Sequence, residues 1–350
     1  MRTITFKGLF LTVLFVCLGG LSIQAVDDGL MTKQITIKQD EAGTLPNRIS
    51  VRKKYLITNL KIVGEINGTD LKFIREMAGC DYYIHKTDGK LSILDLSDAK
   101  IVEGGSVYIS YPYDEYTSNN KLGAFAFYGC SGLTSLTIPS SVTSIGEGAF
   151  EGCSGLTSLT ISSSVTEIGS CAFKGCSGLT SLTIPSSVTS IKRYAFYGCS
   201  GLTSLTIPSS VTSIGESAFS GCSGLTSLTI PSSVTSIGER AFEGCSGLTS
   251  IYVYPEKLPK LGEFIFNGCD AKNCTVYVPT GTHDDYWCSE FGYFEKIVEF
   301  DPTGIDKVTT STDAKEVSRY SVNGQRLSAP SKGLNIVKYS DGRVKKIAVQ

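Results

Sequence analysis

Seven cysteines set a repeat along this chain. Cys130, Cys153, Cys176, Cys199, Cys222 and Cys245 stand 23 residues apart, and Cys269 follows after 24. Between them runs a nearly constant text, read from Cys130 as C-S-G-L-T-S-L-T-I-P-S-S-V-T-S-I-G-E-G-A-F-E-G. A fixed period in the twenties predicts a repeat solenoid, because one such unit cannot bury its own apolar face and must stack on neighbours. A catalytic centre needs one bespoke pocket, whereas this array writes the same surface over and over. It points to a binding or scaffolding protein.

Within a unit, Leu133, Leu136 and Ile138 predict a strand whose period of two turns Leu136 and Ile138 inward. Pro139-Ser140-Ser141 ends it, since proline cannot donate to a ladder and serine favours turns. Val142 and Ile145 form a second apolar pair, Gly146 turns the chain, and Ala149 and Phe150 close the coil beneath Gly152. Stacked phenylalanines and aliphatics should make a continuous spine. Parallel strands beginning at Leu136, Leu159, Leu182, Leu205, Leu228, Ile251 and Val276 are expected side by side in one sheet.

The pattern L-x-x-L-x-I-P, followed by V-x-x-I-x-x-x-A-F-x-x-C, resembles the BspA-like leucine-rich repeats of bacterial surface proteins through residues 122–279. It departs from the pattern at Ser162, where other repeats have proline, and across Tyr252–Lys260, which adds one residue. The resemblance implies a β-rich leucine-rich repeat fold with a parallel sheet and terminal caps. It also implies a cell-surface adhesin that contacts host extracellular-matrix or cell-surface glycoproteins, or other cells, without a cofactor.

The flanks fit that plan. Residues 1–25 read as a secretory signal peptide, with Arg2 and Lys7 before the apolar run Gly8–Leu21 and cleavage after Ala25. Residues 26–121 read as an N-terminal cap holding degenerate strands at Leu60–Ile62 and Leu94–Leu96. Between them a short helix from Asp70 to Ala78 is capped by Thr69 and ended by Gly79. Residues 280–300, with Trp287, Phe291, Phe294 and Ile297, read as the C-terminal cap, and 301–315 as a linker. Residues 316–350 read as a small β unit with hairpin turns at Asn323-Gly324 and Asp341-Gly342. That ending is similar to the sorting tails of proteins exported by gliding-type Gram-negative bacteria. The chain is thus expected at a cell surface or outside the cell, monomeric and not integral to a membrane.

Charge and cysteine chemistry narrow the function further. Removing Arg2 and Lys7 from the 32 basic residues leaves 30 against 33 acidic ones. Between Cys130 and Tyr252 only Lys174, Lys192, Arg193 and Arg240 are basic, so no stripe is available to neutralise phosphates and nucleic acid is excluded as a partner. The spacing C-x4-C at Cys171/Cys176 and Cys269/Cys274 is looser than metal sites use, and His85 and His283 are the chain's only histidines. The ladder Cys130, Cys153, Cys176, Cys199, Cys222, Cys245 and Cys269 reads as buried structural thiols. Cys269, Cys274 and Cys288, where the repeat breaks down, are the candidates for a disulfide. No histidine lies within the array to activate the recurring Cys-Ser-Gly as a nucleophile. No enzyme, metal or cofactor is expected.

Two candidate contact sites remain. The first is a hydroxyl strip: Ser135, Thr137, Ser158, Thr160, Ser181, Thr183, Ser204, Thr206, Ser227 and Thr229 alternate with inward residues and must face away from the core. Such a strip suits extended glycans or protein surfaces, and equally suits a plain solvent-facing sheet rich in threonine. The second is Lys192, Arg193, Tyr194 and Tyr197, the array's one basic, aromatic cluster. A further aromatic run, Tyr108, Tyr111, Tyr113 and Tyr116, falls in an expected loop before the array, suited either to recognition or to packing over the first coil. Glycan capture for a polysaccharide uptake system and a purely structural envelope role stand as the alternatives.

Overall fold

Each 23-residue unit closes into a coil with three sides, and the coils stack in register. The computed structural model describes residues 29–302, 316–321, 326–329, 332–339 and 344–349. The signal-peptide reading with its Ala25 cleavage site, most of the 301–315 linker, and the hairpin turns at 323–324 and 341–342 lie outside the described residues.

The first side is a short strand: Ser135–Thr137, Ser158–Thr160, Ser181–Thr183, Ser204–Thr206, Ser227–Ile230, Ser250–Val253 and Thr275–Pro279. The second is shorter still, as in Ser144–Ile145, Ser190–Ile191 and Ser213–Ile214. Pairing is parallel, and one coil lies over the next, Leu182 on Leu205 and Ile191 on Ile214. The third side is built of turns. There the N–H of Phe150, Phe173 and Phe196 donates to the carbonyl of Ala172, Ala195 and Ala218 in the next coil, at 2.7–2.8 Å. All three sides therefore satisfy their backbone along the stacking axis, which lets a thin coil exist without helices.

The interior is the expected spine. Phe127, Phe150, Phe173, Phe196, Phe219, Phe242 and Phe266 stack with ring centroids 5.2–5.9 Å apart and planes within 10° of parallel. All are buried. Glycine permits the close stacking: a Cβ on Gly201 would sit 2.3 Å from the Ser177 carbonyl oxygen of the coil before.

The first-side strands do not form one uninterrupted sheet. One block runs Ile35–Gln39, Asn59–Ile66, Ile93–Ile101, Ser135–Thr137, Ser158–Thr160; a second pairs Ser181–Thr183 with Ser204–Thr206; a third runs Ser227–Ile230, Ser250–Val253, Thr275–Pro279, Lys296–Phe300. The second-side sheet also divides between Glu167–Ile168 and Ser190–Ile191, the same coil boundary as the first division. One residue is distinctive at this boundary. At the turn after the second strand most coils have glycine, and a Cβ there would meet the preceding coil's backbone, 2.6 Å from Glu147 N at Gly169 and 2.6 Å from Arg193 N at Gly215. At this boundary the residue is Lys192. Its Cβ stands where that glycine lets neighbouring coils approach, and a shallow cleft runs along Ser158, Thr160, Ile161, Ser181 and Thr183. Ser162, the missing proline, ends the strand on the other side of that cleft. Nothing in the structure explains the division between Ser204–Thr206 and Ser227–Ile230.

Both ends of the spine are closed. On the N-terminal side the helix is Gly68–Met77, and its cap is Asn67 rather than Thr69. The Asn67 side chain accepts from Thr69 N at 3.0 Å while Asp70 accepts from Asn67 N at 3.0 Å, a capping box that starts the helix earlier than the expected Asp70. Gly79, with φ of +95°, ends it as expected. The tyrosine run is a hairpin, Gly104–Ser110 with Asp114–Thr117, instead of a loop. Tyr108 is buried and donates to the Ala124 carbonyl at 2.7 Å, whereas Tyr111, Tyr113 and Tyr116 are exposed. On the C-terminal side Phe291 and Phe294 pack on Phe266 at 5.0 and 5.1 Å. Trp287 does not join them: it is exposed, and Tyr286, one residue earlier, takes the buried place. Among the described residues no helix is long and apolar enough to cross a membrane.

The strands Glu316–Ser321, Arg326–Leu327, Gly333–Tyr339 and Val344–Val349 form a separate antiparallel sheet. Within it Arg319 donates to the Asn335 carboxamide oxygen at 3.2 Å.

Candidate functional site

The hydroxyl strip is assembled by register. Ser135 and Thr137 lie over Ser158 and Thr160, and Ser181 and Thr183 over Ser204 and Thr206. Ser227 and Thr229 begin the third block. Alternation points the intervening leucines inward, so the hydroxyls face solvent; Thr160, Thr183 and Thr206 are exposed and Thr137 and Thr229 half-buried. The two kinds of hydroxyl differ in use. Ser158 donates to Ser135 at 3.2 Å and Ser250 to Ser227 at 3.1 Å, but among the described residues Thr137, Thr160, Thr183, Thr206 and Thr229 spend no side-chain hydrogen bond within the chain. A neighbouring file behaves oppositely: Thr157, Thr203 and Thr249 donate to the carbonyls of Thr134, Thr180 and Thr226 and so brace the stack.

The strip ends in different chemistry at each pole. Asp95 precedes Thr137 in register, and Lys61 precedes Asp95. Lys61 Nζ lies 3.1 Å from Asp95 and 2.7 Å from Asp98, contacts that raise the lysine's pKa above its ordinary value. At the other pole Tyr252 lies over Thr229 and Tyr277 over Tyr252. Their rings stack at 4.6 Å and 8°, half-buried, with the edge of Phe300 on Tyr252 at 6.2 Å. The tyrosine pair gives the strip an aromatic end. Tyr252 stands one period beyond Thr229, so the repeat could have placed it on the strip; Tyr277 lies past a broken period.

The basic, aromatic cluster sits elsewhere. Lys192, Arg193, Tyr194 and Tyr197 lie on the turn side, away from the strip's sheet. Tyr194 and Tyr197 meet edge to face at 5.8 Å. Tyr194 donates to Glu216 at 2.7 Å, which raises its pKa, and Lys192 lies 3.9 Å from Glu167. Tyr194 and Lys192 are thus engaged with the coils on either side.

The cysteine ladder is buried throughout. Cys153, Cys176, Cys199, Cys222, Cys245 and Cys269 each donate Sγ–H to a phenylalanine carbonyl of the preceding coil, at 3.0–3.4 Å. Burial pushes the thiols of Cys153, Cys199 and Cys269 up to about 12, which withholds the thiolate that nucleophilic or ligand chemistry needs. Cys269 and Cys274 are buried and Cys288 exposed, and all three are free thiols. Among the described residues no three His, Cys, Asp or Glu side chains converge as a metal site would require.

A stack of strand-turn coils with an aliphatic and phenylalanine spine and a polar strand face is a leucine-rich repeat solenoid. Residues 120–249 and 213–288 match the BspA type leucine-rich repeat region in six copies, and the array is a repeat of that type. Solved structures with similarity include a leucine-rich repeat protein from Bacteroides ovatus, 24% identical over 55% of this chain and 67% of that one, TM-score 0.28. A leucine-rich repeat protein of T. pallidum is 25% identical over 48% and 70%, TM-score 0.28. The pneumococcal vaccine antigen PcpA is 17% identical over 70% and 69%, TM-score 0.41. No curated protein matched the chain.

Proposed function

We propose that this chain is a non-catalytic, surface-displayed binding protein that contacts extended partners along its strand face, as an adhesin for matrix or cell-surface glycoproteins. The observation that carries the reading is the file of uncommitted threonine hydroxyls from Thr137 to Thr229, ending on the stacked pair Tyr252 and Tyr277. Hydroxyls that donate and accept, followed by a rigid aromatic anchor, supply both adaptable and hot-spot contacts. Weak contacts repeated along a rigid strip add by avidity. Lys192, Arg193, Tyr194 and Tyr197 form a secondary contact region on another side, and residues 316–350 serve as the sorting tail.

The decisive experiment is binding of the purified chain to immobilised fibronectin and fibrinogen, with a salt titration and a glycan panel alongside. Saturable protein binding that survives physiological salt supports the adhesin reading. Silence on every protein surface overturns it. Binding to glycans alone moves the assignment to glycan capture.

A further inference from the structure

Each coil has two left-handed backbone positions on its turn side. One is glycine throughout, from Gly129 to Gly268, with φ between +68° and +76°. The other is glycine only at Gly148; elsewhere it is Phe125, Cys171, Tyr194, Ser217, Arg240 or Phe264, with φ between +48° and +58°. A Cβ is disfavoured in that region, and glycine would relieve it. Side chains are nevertheless kept there, and left-handed residues that carry one gather at functional sites.

These residues stand in one file. The N–H of Phe125, Tyr194, Ser217 and Arg240 donates to the carbonyl of Glu147, Glu216, Glu239 and Glu263 in the next coil, at 2.7–3.0 Å. Along the file an aromatic residue returns every third coil, at Phe125, Tyr194 and Phe264, and a small one follows the first two, at Gly148 and Ser217. The aromatic leans over the small residue: a Cβ on Gly148 would sit 2.5 Å from the Phe125 ring. Tyrosines enlarge the first two nodes, Tyr128 lying 5.9 Å from Phe125 and Tyr197 5.8 Å from Tyr194. At the third, the Arg240 guanidinium lies 5.4 Å from the Phe264 ring. Tyr197 and Phe264 are exposed, and Phe125, Tyr128 and Tyr194 half-buried.

The spacing of these nodes selects a backbone. Successive spine rings are 5.2–5.9 Å apart, so nodes three coils apart are separated by roughly 16 Å, three turns of an α-helix at about 5.4 Å each. A helix laid along the stack presents one turn to each coil, and its residues eleven apart return to nearly the same face. An extended strand covers that distance in about five residues, which turns alternate anchors to opposite sides. Polyproline II, with three residues per turn, also takes about five and loses phase. Charge sets the flank: the residues just before the file include Glu147, Glu216, Glu239 and Glu263 against Arg193 alone.

We propose that the turn side docks an amphipathic α-helix of a partner protein, laid along the stack, with large apolar side chains eleven residues apart and basic residues beside them. The face takes in Tyr194 and Tyr197 of the secondary contact region and does not depend on the strand-face reading.

The test is fluorescence anisotropy of the full chain, in physiological salt, with a labelled synthetic helix of about 26 residues. It carries leucines at eleven-residue intervals on a lysine-rich background, and a control peptide of the same composition has the middle leucine moved by two positions. The first peptide should bind saturably and about tenfold more tightly than the control. Equal affinities, or binding by neither, overturn the proposal. Phe264→Gly relieves the strained position, and Tyr197→Ser copies Ser220 of the next coil, so both should fold. Each should weaken binding of the first peptide by about tenfold. Affinity equal to the parent's in either folded variant overturns the proposal; should one variant not fold, the other decides.

Discussion

The Cys199 thiol donates to the Phe173 carbonyl oxygen, 3.1 Å away in the coil before it. That oxygen already accepts from Cys176 N at 3.1 Å, so the thiol takes its second lone pair in a corner no water reaches. Cysteine recurs there because it is a small apolar residue that can still donate. The ladder is a device for stacking.

Burying neutral thiols makes stability depend on alkaline pH. In the unfolded chain these groups ionise near 9.0, whereas Cys153, Cys199 and Cys269 are held up to about 12 in the fold. The folded values are raised, so the stabilisation is complete below the unfolded value and is lost as pH climbs through that window. One unit into the window each thiol should cost about 1.4 kcal/mol. Urea midpoints taken at increasing alkaline pH should fall accordingly, and Cys199→Ala should flatten the decline.

Phe196 has stacked neighbours on both sides, at 5.3 Å to Phe173 and 5.2 Å to Phe219. Phe196→Ala removes both contacts and leaves a cavity, at a cost of ~3–5 kcal/mol. Because coils touch only their neighbours, the loss should also uncouple the two halves of the array. Denaturant unfolding should become broader as well as earlier; a sharp, unshifted transition would contradict the spine's role.

Lys192 stands where neighbouring coils have glycine, at the boundary where both sheets divide. Lys192→Gly should let the coils close. Amide exchange at Leu182 and Ile191 should slow by roughly an order of magnitude, the equivalent of about 1.4 kcal/mol. Unchanged protection would mean that another residue holds the boundary open.

The aromatic end and the middle of the strip are expected to contribute differently to binding. Tyr252→Ala removes one face of a stacked aromatic pair and should weaken partner binding by ~2 kcal/mol or more, on the scale of a buried interface anchor. Thr206→Ala removes one hydroxyl among several and should cost under ~1 kcal/mol. Binding isotherms of the two variants against a partner that binds the parent chain test this order, and the reverse order would place the contact mid-strip.

Much of this molecule could be read directly. Register followed from the period: Leu182 over Leu205 and Thr137 over Thr160 are what a 23-residue repeat dictates. Features outside the period were harder. Thr69 fits an N-cap by type, yet Asn67 takes that role because the Asp70 carboxylate closes the box on it. Trp287 and Tyr286 are adjacent aromatics, and their neighbours alone decide which turns inward. The sheet division was visible as Lys192 in the text, but its effect depends on how closely Gly169 and Gly215 let their coils approach.

The sequence by itself determined the coil, its stacking and its polar strand face, because these follow from local alternation and from a translation that repeats identical contacts. Only the tertiary structure decided which groups meet where the text does not repeat: Arg75 against Cys80 and beneath the carbonyls of Phe125, Ala126 and Tyr128, and Tyr277 on Tyr252. Those contacts join segments with no common phase. Their partners are set by how the caps close the open ends of the spine, where each exposed edge must find a cover of its own.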